Sequence, residues 1–334
     1  MVSQERYPFY GRCLELGRTN GTVLEKVYQN SVRLSKINQK SLPLWLTGSA
    51  FTLLGLLIYA PYLGFGFAAD DFIFISALEG ALPFEPVWGF WYGEEYHGFS
   101  SIWWSEPAMD GSFLRPLTSW VLMLHYWAFG RNALPYHLTL VVLHGLVAFT
   151  TFLVLQRLSG RNLVALLAAS LFLICEDHSM TVAWIATMTD LLCAMFLNIA
   201  FFCHIIGRQN QKLWLFGLSL ILAIAAMLCK ETAIVYPLIV AIFEFFFADR
   251  LAYYPGTTRL GDRCRLFLHH KWAWITPALI FGAYLIWYRS MVPPMRSLLY
   301  VDPFHQPGRY ISQVLINLPV MVVSLLTQWL PSLS

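Results

Sequence analysis

The chain has 334 residues, of which 57% are hydrophobic and only 12% charged, and its mean hydropathy is +0.57. Soluble globular chains run at roughly half apolar and about a quarter charged. The excess, with a net charge of only +3, excludes an ordinary soluble enzyme, a disordered chain and a nucleic-acid binder with a basic face. An all-α polytopic membrane protein remains, and apolar segments are its unit of counting.

Residues 1–43 are polar and read as a cytoplasmic N-terminal segment, and 44–334 as the transmembrane domain. The first apolar run begins near Leu44 behind that polar stretch, which suits an uncleaved signal anchor rather than a cleavable signal peptide. Candidate spans follow at 44–63, 134–156, 162–175, 183–206, 213–229, 232–248, 272–288 and 310–330. Several lie near or below the ~17-residue lower limit for a crossing.

A short run at 117–130, between Arg115 and Arg131, decides the topology. If it is re-entrant or interfacial, there are eight full spans and an external loop at 64–133. The cytoplasmic side then collects Arg6, Arg12, Arg18, Lys26, Arg33, Lys36 and Lys40. Arg157, Arg161, Arg208, Lys212, Arg250, Arg259, Arg263, Arg265 and Lys271 fall on the same side. These are 16 of the 22 basic residues, as the positive-inside rule requires. If the run crosses, the last nine move outside. The six cysteines, Cys13, Cys175, Cys193, Cys203, Cys229 and Cys264, show no CxxC spacing, and four lie inside apolar runs. They read as inert buried thiols, with no zinc site and no disulfide framework.

Residues 64–114 hold eight of the 19 acids, Asp70, Asp71, Glu79, Glu85, Glu94, Glu95, Glu106 and Asp110, and 64–113 holds no Lys or Arg. The stretch is also rich in aromatics, as in WGFWYGEEYHGFSSIWW. Acid-bearing aromatic segments between spans suit helices lying in the membrane interface. Asp70-Asp71 is its sharpest feature. Paired carboxylates at a membrane surface are costly unless solvated, paired or used. On a helix, neighbours point about 100° apart, so one carboxylate can face a reacting group while the other is held by a base or by backbone. Such a group can act as a general base or as a ligand for a divalent metal, and helix N-caps read the same way.

Several motifs then occur in order: AADD at 68–71, FLRPL at 113–117, FGRNALPYHLTLVVLH at 129–144, HSMTVAWIATMTDLL at 178–192 and CKETAIVYPL at 229–238. The series resembles the class C (GT-C) membrane glycosyltransferases, above all the protein O-mannosyltransferase-like family with transmembrane and tetratricopeptide repeats and its bacterial relatives. The resemblance implies a GT-C-like helix bundle and a polyprenyl- or dolichyl-phosphate sugar as donor. It implies inverting transfer to an acceptor hydroxyl of a protein or glycan on the external or lumenal face. Asp70 or Asp71 would be the base, with the first favoured by the family pattern. Arg115 matches the arginine expected at the donor phosphate. His178 and Asp190 match the second external loop, and Lys230 and Glu231 match the Lys-Glu motif.

In this chain Met180 stands where the family tends to have Glu, and Met188 where it tends to have Arg. No tetratricopeptide repeat follows. These departures motivate a second reading, a non-catalytic scaffold subunit of a larger membrane complex. Membrane lipid is a partner in either case, and nucleic acid in neither. Each site residue also has a plainer reading. Arg115 can snorkel at the interface, Lys230-Glu231 can be a neutralising pair at a hairpin, and Asp190 can bond to Thr187 or Thr189.

Overall fold

A computed structural model describes residues 43–81, 114–247, 260–291, 301 and 306–327. The N-terminal segment and the aromatic part of the first loop, with Glu85, Glu94, Glu95, Glu106 and Asp110, lie outside the described residues. Contacts divide the chain into two units, Met1–Thr47 and Gly48–Ser334, and nearly all described residues belong to the second.

All regular structure among the described residues is helical. Helix α1 (Leu44–Tyr59) runs into a 3-10 turn at Ala60–Gly64, and the short α2 (Asp71–Leu78) follows. Helix α3 (Pro116–Phe129) covers the run at 117–130, starting on a proline that loses no bond in the first turn. Helix α4 (Ala133–Ser159) is capped by the Asn132 side chain, which accepts from Leu134 N at 3.2 Å, and it ends on Gly160 at φ 66°. Helices α5 (Asn162–Ile174), α6 (Ser179–Ala183), α7 (Met188–Asn210) and α8 (Leu213–Met227) come next, then α9 (Tyr236–Phe246), α10 (Leu260–His269), α11 (Lys271–Met291) and α12 (Pro307–Thr327).

Within the described residues each apolar run marked in the sequence is built mainly of helix. Among the described residues three stretches are long and apolar enough to cross a membrane, Leu44–Gly64, Ala133–Ser159 and Ile185–Asn210, while α5 and α8 are shorter apolar helices. Large side chains on these helices and on α3 stay outside the core: Leu57 is 76% exposed, Leu213 84% and, on α3, Trp127 84%. Apolar exposure on this scale is tolerable only in lipid. The chain is an integral membrane protein.

Two differences from the apolar segments bear on function. The run at 183–206 is not one helix. It breaks at Trp184, whose backbone is extended, passes through a 3-10 turn at Ile185–Thr187 and only then enters α7. Likewise 232–248 opens with a 3-10 turn at Glu231–Val235 before α9 starts at Tyr236-Pro237. Irregular backbone at such depth needs partners for its freed polar groups.

Helix α4 carries the core. It packs against α5 and α7, and α7 packs along α8. Tyr136, Leu140, Val141, His137 and His144 on α4 are fully enclosed. Helices α1 and α4 meet at Gly145, where a Cβ would lie 2.7 Å from the Thr52 Cα. Only glycine allows that approach.

Candidate active site

The acidic pair divides its labour. Asp71 opens α2 and is buried, with 1% exposure. Its carboxylate accepts from Ala68 N at 3.0 Å, Ile185 N at 3.4 Å and Ala186 N at 2.8 Å. The latter two amides precede α7, where helix geometry leaves donors without partners. Asp71 thus supplies the anion that the start of α7 needs and ties the segment before α2 to the turn before α7. Burial pushes its carboxyl above the usual aspartate value, and the three amides pull the other way. Asp70, one residue earlier, is exposed, and its side chain makes no capping bond. Ala69 before it sits at φ 48°, a left-handed turn that aims α2. One carboxylate is consumed by backbone and its neighbour is left to solvent, so the pair does not converge on one ion. No group of three or more ligating side chains that could hold a metal occurs among the described residues.

The two basic candidates are each held by a carboxylate from another segment. Arg115 precedes α3, and Lys230-Glu231 joins α8 to α9. Backbone locks these segments, since Leu117 N donates to Leu228 O at 3.1 Å and the Thr118 hydroxyl to Cys229 O at 3.3 Å. Lys230 and Glu231 do not neutralise each other. The Arg115 fork grips Glu231, with Nη2 2.8 Å from Oε2 and Nε 3.1 Å from both carboxylate oxygens. Lys230 Nζ reaches across to Asp190 Oδ1 on α7 at 2.5 Å. The Thr189 hydroxyl is 3.5 Å from the other oxygen of Asp190, a marginal contact. Tyr288, from α11, donates to Glu231 Oε1 at 3.3 Å. All four charges remain partly open, from 17% exposed at the Arg115 side chain to 44% at Asp190. The turn at 185–187 leads directly into Asp190, so one short segment carries both the Asp71 anchor and the Lys230 partner.

His178 does other work. The last carbonyls of α5 have no partners within their helix. The His178 Nδ1 donates to Phe172 O at 2.9 Å, and His144 Nε2 to Leu173 O at 3.2 Å. The Tyr59 hydroxyl donates to Leu173 O at 2.8 Å. The His178 ring packs 4.4 Å from the Phe172 ring and 5.1 Å from that of His144. These contacts hold the end of α5, and none reaches the Arg115 cluster.

Sequence reading missed Tyr288. It lies in an apolar run beyond the motif series, and its only signal was a second tyrosine, Tyr284, four residues earlier on the same face.

Fold and site together define a helical membrane protein with a solvated carboxylate and a paired cluster of charges at one end of its bundle. Among curated proteins the chain is 31% identical over 191 residues to protein O-mannosyl-transferase Tmtc1 of Drosophila melanogaster, covering 54% of this chain and 20% of that one. It is 30% identical over 227 residues to protein O-mannosyl-transferase Tmtc2 of the same organism, 64% of this chain and 22% of that one. It is 28% identical over 157 residues to human protein O-mannosyl-transferase TMTC3, 45% and 17%. The resemblance expected from the motifs is present. The chain spans about a fifth of the length of these relatives. No family model matches it. No solved structure matches it.

Proposed function

We propose that this chain is the membrane-embedded part of a GT-C glycosyltransferase that moves a sugar from a polyprenyl- or dolichyl-phosphate donor to an acceptor hydroxyl. The observation that carries the reading is the division of the acidic pair, whose buried member is tied to the short segment that leads into Asp190, the partner of Lys230. Asp70 is exposed, Asp71 is fixed in backbone, and Arg115 and Lys230 are each paired with a half-open carboxylate, Glu231 and Asp190.

The acceptor oxygen attacks the anomeric carbon opposite the phosphate. Its proton passes to Asp70 as the new C–O bond forms. The bond from carbon to phosphate oxygen breaks, the electron pair leaves with the polyprenyl phosphate, and configuration inverts. Arg115 and Lys230 stabilise the charge that develops on the departing group, the forked guanidinium meeting two oxygens at once. Asp190 holds Lys230 in position, Asp71 positions the Asp70 turn against the second loop, and His178 fixes the end of α5 from which that loop departs. The lipid tail lies against the apolar flanks of the spans.

Transfer of mannose from dolichyl-phosphate mannose to an acceptor, measured in proteoliposomes of the full-length protein, tests the roles. Asp70→Asn is expected to lower transfer by about 10²–10⁴-fold, the usual contribution of a general base, with its unfolding temperature unchanged. Asp71→Asn is expected to lose both stability and transfer. Full transfer by Asp70→Asn would refute the reading.

The N-terminus is cytoplasmic in this proposal, the run at 117–130 is interfacial, and the site faces the lumen or periplasm. The distribution of basic residues supports this arrangement. Among the described cysteines only Cys264, on α10, is exposed. With Cys13 replaced by Ser, a membrane-impermeant maleimide is expected to label Cys264 in cells only after the membrane is opened. Labelling of intact cells would reverse the orientation.

A further inference from the structure

The grip on Glu231 resembles a phosphate site with the wrong anion in it. Its two carboxylate oxygens receive the Arg115 fork, and Oε1 also receives the Tyr288 hydroxyl. Guanidinium nitrogens spaced for two oxygens, plus a neutral hydroxyl donor, suit a phosphate as well as a carboxylate. One turn before Tyr288, the Tyr284 hydroxyl is buried and has no hydrogen-bond partner, although its ring lies 6.0 Å from that of Tyr288. A buried hydroxyl without a partner calls for an explanation. Glu231 itself is not locked in. Its side chain is 29% exposed, and it stands at the start of a 3-10 turn directly after the extended backbone of Lys230. A carboxylate there repels an incoming phosphate and occupies the nitrogens that the phosphate needs.

We infer that Glu231 is an internal stand-in for the donor phosphate. In the unliganded protein it fills the cradle of Arg115 and Tyr288, the phosphate displaces it, and the hydroxyls of Tyr288 and Tyr284 then donate to the phosphate. This inference rests on the lipid-phosphate reading above and adds to it a competing anion and a tyrosine wall from α11. It reverses the simple expectation for Glu231, because removing the carboxylate should strengthen ligand binding. The stand-in keeps the cations ordered when no donor is present, at the cost of affinity. Tyr288 donates in both states, so its contribution to binding emerges only when the competitor is gone.

Binding of dodecyl phosphate to the full-length protein in detergent, followed by calorimetry and by thermal shift, tests this. Glu231→Gln is expected to bind roughly tenfold tighter than wild type and to show a larger ligand-induced thermal shift. Adding Tyr288→Phe to Glu231→Gln is expected to take back roughly tenfold, the scale of one hydrogen bond to a charged group. Equal or weaker binding by Glu231→Gln, while wild type binds and Arg115→Gln does not, would overturn the stand-in alone. No binding of dodecyl phosphate by any variant would overturn the lipid-phosphate reading with it. Should Glu231→Gln unfold in detergent, Glu231→Asp shortens the reach of the carboxylate and is expected to tighten binding in the same direction. No tightening there counts against the stand-in. Inorganic phosphate is expected to bind far more weakly than dodecyl phosphate, and equal affinities would overturn the lipid as the source of the phosphate.

Discussion

Two arginine–glutamate pairs stand at opposite ends of the bundle and differ in one respect. Arg115–Glu231 sits at the end where α7 begins, with side chains 17% and 29% exposed. Arg208–Glu244 sits at the end where α7 finishes, with side chains 11% and 1% exposed. The fourteen residues from Asp190 to His204 on α7 correspond to about 21 Å of helix, so the two clusters are independent. At the enclosed end Glu244 Oε1 accepts from His204 Nε2 at 2.9 Å and forms an ion pair with Arg208, whose Nε lies 2.9 Å away, and Arg208 Nη1 lies 3.4 Å from His270 Nδ1. Arg208 also stands in the last turn of α7, where the helix dipole favours a cation. A buried pair must stay together because neither partner can be solvated alone. A half-open pair can exchange one anion for another. In the proposed reading the same two residue types serve as a fastener at one end and as a binding site at the other, and solvent access separates the roles.

The largest expected effect falls on the fastener. Glu244→Gln leaves Arg208 buried beside a neutral amide and is expected to cost about 3–5 kcal/mol, the usual penalty for removing one partner of a buried pair. Thermal unfolding in detergent measures it. The dodecyl phosphate response of the folded fraction should match wild type, since the cluster is remote from Arg115. A variant that lost phosphate affinity but kept its stability would erase the contrast between the two ends.

A smaller effect separates the two aspartates. Asp71 makes charge-assisted bonds to buried amides, each in the range of about 1.5–3 kcal/mol. Asparagine keeps one acceptor and turns an amide group toward the remaining N–H donors. Asp71→Asn is therefore expected to destabilise by about that amount, while Asp70→Asn, exposed and without a capping bond, should unfold with wild type. Equal destabilisation by both would mean that Asp70 is structural too.

Much of this was legible in the sequence, and the gaps have physical causes. Runs such as 134–156 announced their helices because a span must be continuously apolar. The i, i+1 geometry of Asp70-Asp71 already required the two carboxylates to face different surroundings. The cross-pairing of Lys230 with Asp190 and of Glu231 with Arg115 was not legible. Adjacent opposite charges look self-neutralising until the extended backbone at Lys230 sends them to different helices. Arg208 read as one of several cytoplasmic loop charges, but α7 continues to Asn210 and carries it into the protein. Its partner Glu244 lies inside the apolar run 232–248, and nothing in the sequence pairs the two. Tyr288 gave no signal beyond Tyr284 one turn earlier, because a tyrosine in a span is ordinary, and only the packing of α11 against α9 brings it to Glu231.

The smallest expected effect belongs to a pair that is neither enclosed nor near the phosphate cradle. Glu79, just after α2, takes a two-point grip from Arg131, Nε to Oε1 and Nη2 to Oε2 both at 2.6 Å, and the Tyr126 hydroxyl lies 3.4 Å away. It fastens the helix that carries the acidic pair to the turn between α3 and α4. The hydrogen bonds from Arg131 hold the Glu79 carboxyl below the usual glutamate value. A carboxyl lowered in the folded state stabilises the fold above the ordinary glutamate range, and this is lost as pH falls through the lowered value. The difference in unfolding temperature between wild type and Glu79→Gln should therefore be small at pH 7 and shrink toward zero on acidification. High salt at pH 7 should shrink it as well, because the pair is open to solvent. A difference that stays constant across pH and salt would show that Glu79 acts through packing and not through its charge.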